Sequence, residues 1–192
     1  MIYEIAGLPR AGKTTALTMI GLRSLQGKTT CGISPHKKVF STFYCKGLYQ
    51  LDVNDLKSYD FSDSLVLIDE ISLYFDNRDY KNFDKEFIYF FKLHGHYKID
   101  LVWASQHFAD ADKKIRDVTD TIFLCEPAFF GMSVLKKIEH TYNVENLTDK
   151  YRICPRPQWK YFRRSKYYDY FDSYEKKEKL VLTEEKLKKW GE

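Results

Sequence analysis

Gly7-Leu-Pro-Arg-Ala-Gly12-Lys13-Thr14 is the stretch whose residue types and spacing describe chemistry most directly, a GxxxxGK[ST] pattern that suits a phosphate group. Gly7 and Gly12 permit backbone angles that turn successive N–H groups toward one anion. Lys13 adds a point charge for the β- and γ-phosphates, and Thr14 a hydroxyl for Mg²⁺. The nucleotide-binding set read from this loop is Gly7, Leu8, Pro9, Arg10, Ala11, Gly12, Lys13, Thr14 and Thr15, and it implies ATP with Mg²⁺. A second group lies at Leu65-Val-Leu-Ile-Asp69-Glu70, where a continuous apolar run enters two acids. Asp69 is the candidate for the outer coordination shell of the metal. Glu70 is the candidate general base that orients and deprotonates a water for attack on the γ-phosphate. Gln106, after Leu101-Val-Trp-Ala-Ser105, is expected to emerge beside Asp69 and to position that water or sense the γ-phosphate. Neutralising charge on the transferred phosphoryl group calls for an arginine, often from a neighbouring subunit. Arg116 in Lys113-Lys-Ile-Arg116 is the leading candidate, ahead of Arg78 and Arg10.

These groups work only if the backbone brings them to one place. Ile2–Ala6 reads as a strand, Gly7–Gly12 as a tight turn, and Thr14–Leu25 as a helix with Leu17, Ile20, Leu22 and Leu25 at helical spacing. Val39–Tyr44 and Leu48–Leu51 read as strands, with a brief turn capped by Asn54 before Tyr59. Leu65–Ile68 suits a strand buried on both faces of a parallel sheet. Phe83–Leu93 carries an apolar helical stripe and should stop near Gly95. A strand at Ile99–Ala104, a helix at Ala109–Val118 and a strand at Thr121–Leu124 complete the alternation. The expected fold is therefore α/β, a mostly parallel sheet with helices on both faces. Beyond Glu126 the rhythm weakens: the PAFFGM stretch reads as a loop, Pro155 and Pro157 interrupt, and Leu180–Trp190 reads as a charged terminal helix.

Composition narrows the function classes. The 192 residues are 44% hydrophobic and 30% charged with no long apolar run, which excludes a disordered chain and a self-contained membrane span. The length suits one main domain with an appendage, divided here into a core over residues 1–150 and a basic, aromatic extension over residues 151–192. The opening residues carry no basic leader or cleavage site, so a cytoplasmic protein is expected. Cys31, Cys45, Cys125 and Cys154 are widely spaced and read as reduced thiols, mostly buried. His94 and His96 lack a third ligand at suitable spacing and read as structural or surface residues. The net charge of +4 is unevenly held, with thirteen Lys and Arg against seven Asp and Glu from Lys150 onward. There Lys160, Arg163, Arg164 and Lys166 interleave with Trp159, Tyr161, Phe162, Tyr167 and Tyr168. That mixture either tracks a nucleic-acid backbone while stacking on bases or forms an edge strand with solvated charges.

With the phosphate loop, Asp69-Glu70 and Gln106 in place, the chain resembles the zonular occludens toxin family, which includes the assembly ATPases of filamentous phages. The likeness rests also on Val39-Phe-Ser-Thr-Phe-Tyr44 through Gly47 and Leu51-Asp52, on His94-Gly-His96-Tyr97-Lys98-Ile99-Asp100 before the glutamine strand, on Lys114-Ile115-Arg116, and on the later Phe171-Asp172-Ser173-Tyr174. The resemblance implies a RecA-like P-loop NTPase core of the ASCE type, related to the FtsK and HerA motors. It further implies a homo-oligomeric ring with nucleotide at its interfaces, and coupling of ATP hydrolysis to DNA movement in phage DNA packaging or virion assembly and export, with capsid or assembly proteins as further partners. Many members continue into a membrane span, which this sequence does not contain, so the expected place is the host cytoplasm or the periphery of a membrane or virion. Two other readings of the residues stand beside the motor: a nucleotide kinase, and a non-catalytic nucleotide-binding assembly protein.

Overall fold

The computed structural model describes residues 1–75, 85–107, 111–143 and 148–172, with the side chains of Lys85 and of residues 140–151 left aside. Nine strands among these residues form one sheet, in the order β3-β2-β4-β5-β1-β6-β7-β8, with β9 also paired to β7. The strands are β1 (Ile2–Ala6), β2 (Lys38–Ser41), β3 (Tyr49–Gln50), β4 (Ser64–Ile68), β5 (Asp100–Ser105), β6 (Thr121–Pro127), β7 (Met132–Asn143), β8 (Thr148–Ile153) and β9 (Trp159–Arg163). Strands β1 to β6 run parallel to their neighbours, and the turn to β7 begins an antiparallel section. The apolar runs read from the sequence are the central strands: every residue of β1 and β4 is buried, and so are the last five of β5. Continuous burial is what a parallel sheet covered on both faces requires.

Helix α1 (Lys13–Leu25) covers one face, where Leu17, Met19 and Ile20 pack with Tyr3, Ile5, Leu65, Leu67, Val102 and Phe123. Helix α2 (Lys85–Leu93) and the short α3 (Lys113–Arg116) cover the other, where Phe87, Phe91 and Ile115 pack with Ile2, Val66, Ile68, Leu101 and the fully buried Trp103. This is the expected α/β architecture. Alternation of inward faces along each strand produces it, since Tyr3 and Ile5 serve one layer and Ile2 the other.

Several local expectations are corrected. Of the helix expected over Ala109–Val118, the described residues hold a helix at Lys113–Arg116, which Asp112 caps by accepting a hydrogen bond from Lys114 N at 2.8 Å. Of the helix expected over Phe83–Leu93, the described part is Lys85–Leu93. The PAFFGM stretch is the turn between β6 and β7, as its composition predicts, but past it the chain returns to strand. One edge of β7 pairs with β6, while its other edge pairs with β9 through Met132–Lys136 and with β8 through Ile138–Asn143. β8 and β9 thus lie end to end on one edge of β7, separated by the turn at Arg156–Gln158 that Pro155 and Pro157 impose. The boundary drawn after residue 150 falls within β8, and β9 belongs to the same sheet as the phosphate-loop strand. The terminal helix expected at Leu180–Trp190 lies outside the described residues.

The four cysteines are free, with Cys45, Cys125 and Cys154 buried and Cys31 partly so. No helix among the described residues is long and apolar enough to cross a membrane.

Candidate functional site

The site lies where β1, β4 and β5 end. β1 stops at Ala6, and the chain turns through Gly7 to Gly12 into α1. Two glycines are demanded by this path. A Cβ on Gly7 would come within 2.4 Å of the Cys125 carbonyl oxygen, and Gly12 combines a φ of 103° with a Cβ position 2.7 Å from Ser133 Oγ. The turn is held from behind by the antiparallel section: Ser133 Oγ donates to the Ala11 carbonyl at 2.6 Å, and Cys125 Sγ lies 3.4 Å from the same oxygen. Burial keeps the Cys125 thiol protonated, pushing it up to about 12 against the lowering influence of Lys13.

Lys13 folds back over the loop and donates to the carbonyls of Gly7 at 2.8 Å and Leu8 at 3.2 Å. Thr14 Oγ1 donates to Asp69 Oδ2 at 2.8 Å. Asp69 follows β4, and its backbone N–H donates to Thr42 Oγ1 at 3.0 Å, which fixes the acid at the strand tip. Glu70 adopts a φ of 52°, a left-handed conformation that is costly for a residue with a side chain. Its two oxygens meet Ser72 Oγ at 3.0 Å and, in a long contact of 3.5 Å, Gln106 Nε2. Gln106 follows β5, the strand between β4 and β1, so the sheet order itself carries it to the carboxylates.

A cleft of about 690 Å³ opens over these groups, lined by Pro9, Arg10, Gly12, Lys13, Thr14, Thr15, Asp69, Glu70 and Gln106. The size is that of a small-molecule or cofactor pocket. Of the remaining loop residues, Gly7 and Leu8 supply carbonyls to Lys13, Leu8 otherwise faces solvent, and Ala11 is buried. The hydroxyl and carboxylate of Thr14 and Asp69 are hard oxygen donors of the kind Mg²⁺ takes together with phosphate oxygens. No cluster of three His, Cys, Asp or Glu side chains able to hold a metal occurs among the described residues.

Arg116 is not among the residues lining this cleft. It ends α3, four residues before Asp120, which is hydrogen-bonded to Ile2 at the far end of β1. Arg10 does line the cleft, with a φ of 64°, and Arg78 lies outside the described residues. His94 Nδ1 lies 2.6 Å from the Phe91 carbonyl at the end of α2, a local turn contact.

The remaining wall is built by residues whose site role the sequence reading missed: Arg164, Tyr168, Phe171 and Asp172. Arg164 and Tyr168 had stood out only as members of the basic, aromatic tract. The usable signal is Phe171-Asp172 itself, part of the stretch on which the family resemblance rests although it lies well beyond the strands that carry the other motifs. Within that tract Phe162 and Tyr167 are buried and Tyr161 is exposed, as in an edge strand followed by a packed turn.

The zonular occludens toxin (Zot) family model matches residues 48–177, well over half of the chain. The N-terminal domain of zonular occludens toxin from Neisseria meningitidis superposes with a TM-score of 0.58 at 18% identity, covering 89% of this chain and 98% of that one. The genome packaging NTPase B204 from Sulfolobus turreted icosahedral virus 2, in complex with ATP-gammaS, aligns with a TM-score of 0.48 at 12% identity, over 79% of this chain and 96% of that chain. None of the curated proteins compared matches the chain. A RecA-like sheet, a phosphate loop meeting an acidic strand tip, and a family match spanning both the acidic strand and the returning C-terminal wall place this chain in the zonular occludens toxin family of P-loop NTPases.

Proposed function

We propose that the chain is a Mg²⁺-dependent ATPase motor that couples ATP hydrolysis to DNA movement in phage DNA packaging or in virion assembly and export. The observation that carries this reading is the 2.8 Å hydrogen bond between Thr14 Oγ1 and Asp69 Oδ2, with Glu70 and Gln106 beside it. It joins the loop that holds phosphates to the strand tip that holds a metal and a base, although 55 residues separate them. In this reading the loop N–H groups and Lys13 hold the triphosphate. Lys13 exchanges its bonds with the Gly7 and Leu8 carbonyls for phosphate oxygens. Thr14 and Asp69 would hold Mg²⁺, and the ion would supply charge neutralisation on the transferred phosphoryl group. Glu70 orients and deprotonates the attacking water, and Gln106 fixes the carboxylate and the water together.

A ring of subunits completes the site. Arg116 lies away from its own cleft, which suits a residue offered to a neighbour's nucleotide. DNA and phage assembly or capsid proteins are the partners of such a ring, and the host cytoplasm, at a membrane or virion surface, is its place. Glu70→Gln tests the mechanism. ATP binding should persist while turnover falls at least about a hundredfold, the usual worth of a general base. DNA should stimulate the wild-type rate. Equal rates in wild type and variant remove Glu70 from the mechanism, and ATP consumption that depends on a nucleoside monophosphate replaces the motor with a kinase.

A further inference from the structure

The cleft has two kinds of wall. The carboxylates and Gln106 arrive from β4 and β5, on one side of β1, and Arg164 arrives from β9, which pairs with β7 on the other side. Between them runs the phosphate loop. A triphosphate held by Lys13 with its γ-end toward Glu70 must send its nucleoside toward the wall formed by residues 164–172.

That wall is rigid. Arg164 N and Nε both donate to the Gly131 carbonyl, at 3.2 and 3.4 Å, and Arg164 Nη1 donates to the Arg10 carbonyl at 3.2 Å. The chain then forms a 3-10 segment, Arg164–Tyr170, packed against α1. Tyr167 and Phe171 are buried in the main core cluster, and Lys46 N donates to the Tyr170 carbonyl at 2.7 Å. Between these anchors Tyr168 stays 51% exposed and lines the cleft together with Thr15 and Asp172. A half-exposed ring on a backbone fixed before and after it adds little to the core. It presents instead a preorganised aromatic face, which lowers the ordering cost of binding a flat ligand.

We infer that Tyr168 is the stacking platform for the nucleobase, on a wall that the 3-10 segment builds beside the phosphate loop. This rests on the proposed binding of a triphosphate by the loop. The test titrates ATP and inorganic tripolyphosphate, each with Mg²⁺, by calorimetry into wild type, Tyr168→Ala, Tyr168→Phe, Lys13→Ala and the control Tyr161→Ala, whose exposed ring lies on β9 and does not line the cleft.

Tyr168→Ala should weaken ATP about tenfold, in line with the loss of one base–aromatic stack, and leave tripolyphosphate unchanged. Tyr168→Phe should keep the ATP affinity, and Tyr161→Ala should match wild type. Lys13→Ala should weaken both ligands. Unchanged ATP affinity in Tyr168→Ala overturns the platform while leaving the phosphate site standing. An equal loss for both ligands also overturns it, since the ring would then act on the loop. Failure of the wild type to bind either ligand sinks the triphosphate reading and the platform with it.

Discussion

At the level of single residues, the backbone around the phosphate site is held in conformations that side chains resist. Arg10 and Glu70 both have left-handed φ values, and Gly12 stands at 103°. For Arg10 and Glu70 the cost is offset by the rigid elements on either side, an arrangement typical of groups that must be aimed. Gly12 has no such latitude, because its backbone angle and the 2.7 Å approach of Ser133 Oγ both exclude a methyl group. Gly12→Ala is therefore expected to lower stability by roughly 1–3 kcal/mol and to abolish detectable ATP binding, while the circular-dichroism spectrum stays native. Thermal unfolding together with calorimetric titration checks both parts. A variant that binds ATP as wild type does would show that the loop changes shape on binding.

Elements matter here because the loop is shaped by strands that contribute nothing to the motif. Ser133, near the start of β7, donates to the Ala11 carbonyl, and Arg164 follows β9 and donates to the Arg10 carbonyl, so the antiparallel section braces two successive loop carbonyls. With those two carbonyls engaged behind the loop, fewer acceptors are left to repel an anion in the cleft. Ser133→Ala removes the brace without touching the phosphate-facing side. Its expected effect is a loss of about tenfold in ATP affinity with about 1 kcal/mol of stability, the net worth of one buried hydrogen bond. Comparing binding and unfolding of this variant with those of wild type is the measurement. An unchanged affinity would confine Ser133 to packing.

On the scale of the whole molecule, the edge of the sheet opposite the site carries an electrostatic tie between distant parts of the chain. His36 Nε2 lies 2.9 Å from Asp100 Oδ2, and both side chains are largely buried. The hydrogen bond to Asp100 raises the His36 pKa, outweighing the burial that lowers it. Burial pushes the Asp100 carboxyl up, but the hydrogen bond from His36 and the positive charge around it hold it below its ordinary value. A raised histidine pKa contributes stability that is complete below about pH 6.5 and is lost as pH climbs through the folded-state value. A depressed carboxylate contributes stability above about pH 4 that is lost as pH falls. His36→Ala should therefore cost about 1–2 kcal/mol near pH 5.5, with the difference from wild type shrinking toward pH 8. Denaturant unfolding at the two pH values tests the sign, and a gap that widens with pH would refute it.

The chemistry of the site was legible because it resides in local patterns. A glycine-rich turn between a strand and a helix, and two acids ending a fully apolar run, can each be read from a dozen residues. Their convergence follows from parallel strands that all end on one edge. Three things required the tertiary structure. The bracing of the loop by Ser133 and the return of Arg164, Tyr168, Phe171 and Asp172 are contacts across more than a hundred residues, and no periodicity encodes which distant side chain meets a given carbonyl. Strands β7 and β8 were hidden because the strand–helix alternation stops after Glu126, and β9 was legible only as one of two readings of its tract, which pairing along a shared edge of β7 decides. The start of α3 is set by Asp112, whose carboxylate accepts from Lys114 N. The sequence by itself thus determined the parallel part of the sheet and the residues proposed for phosphate chemistry, through short-range propensity and burial. Only the folded chain decided what closes the nucleotide cleft, because that wall is made by long-range packing.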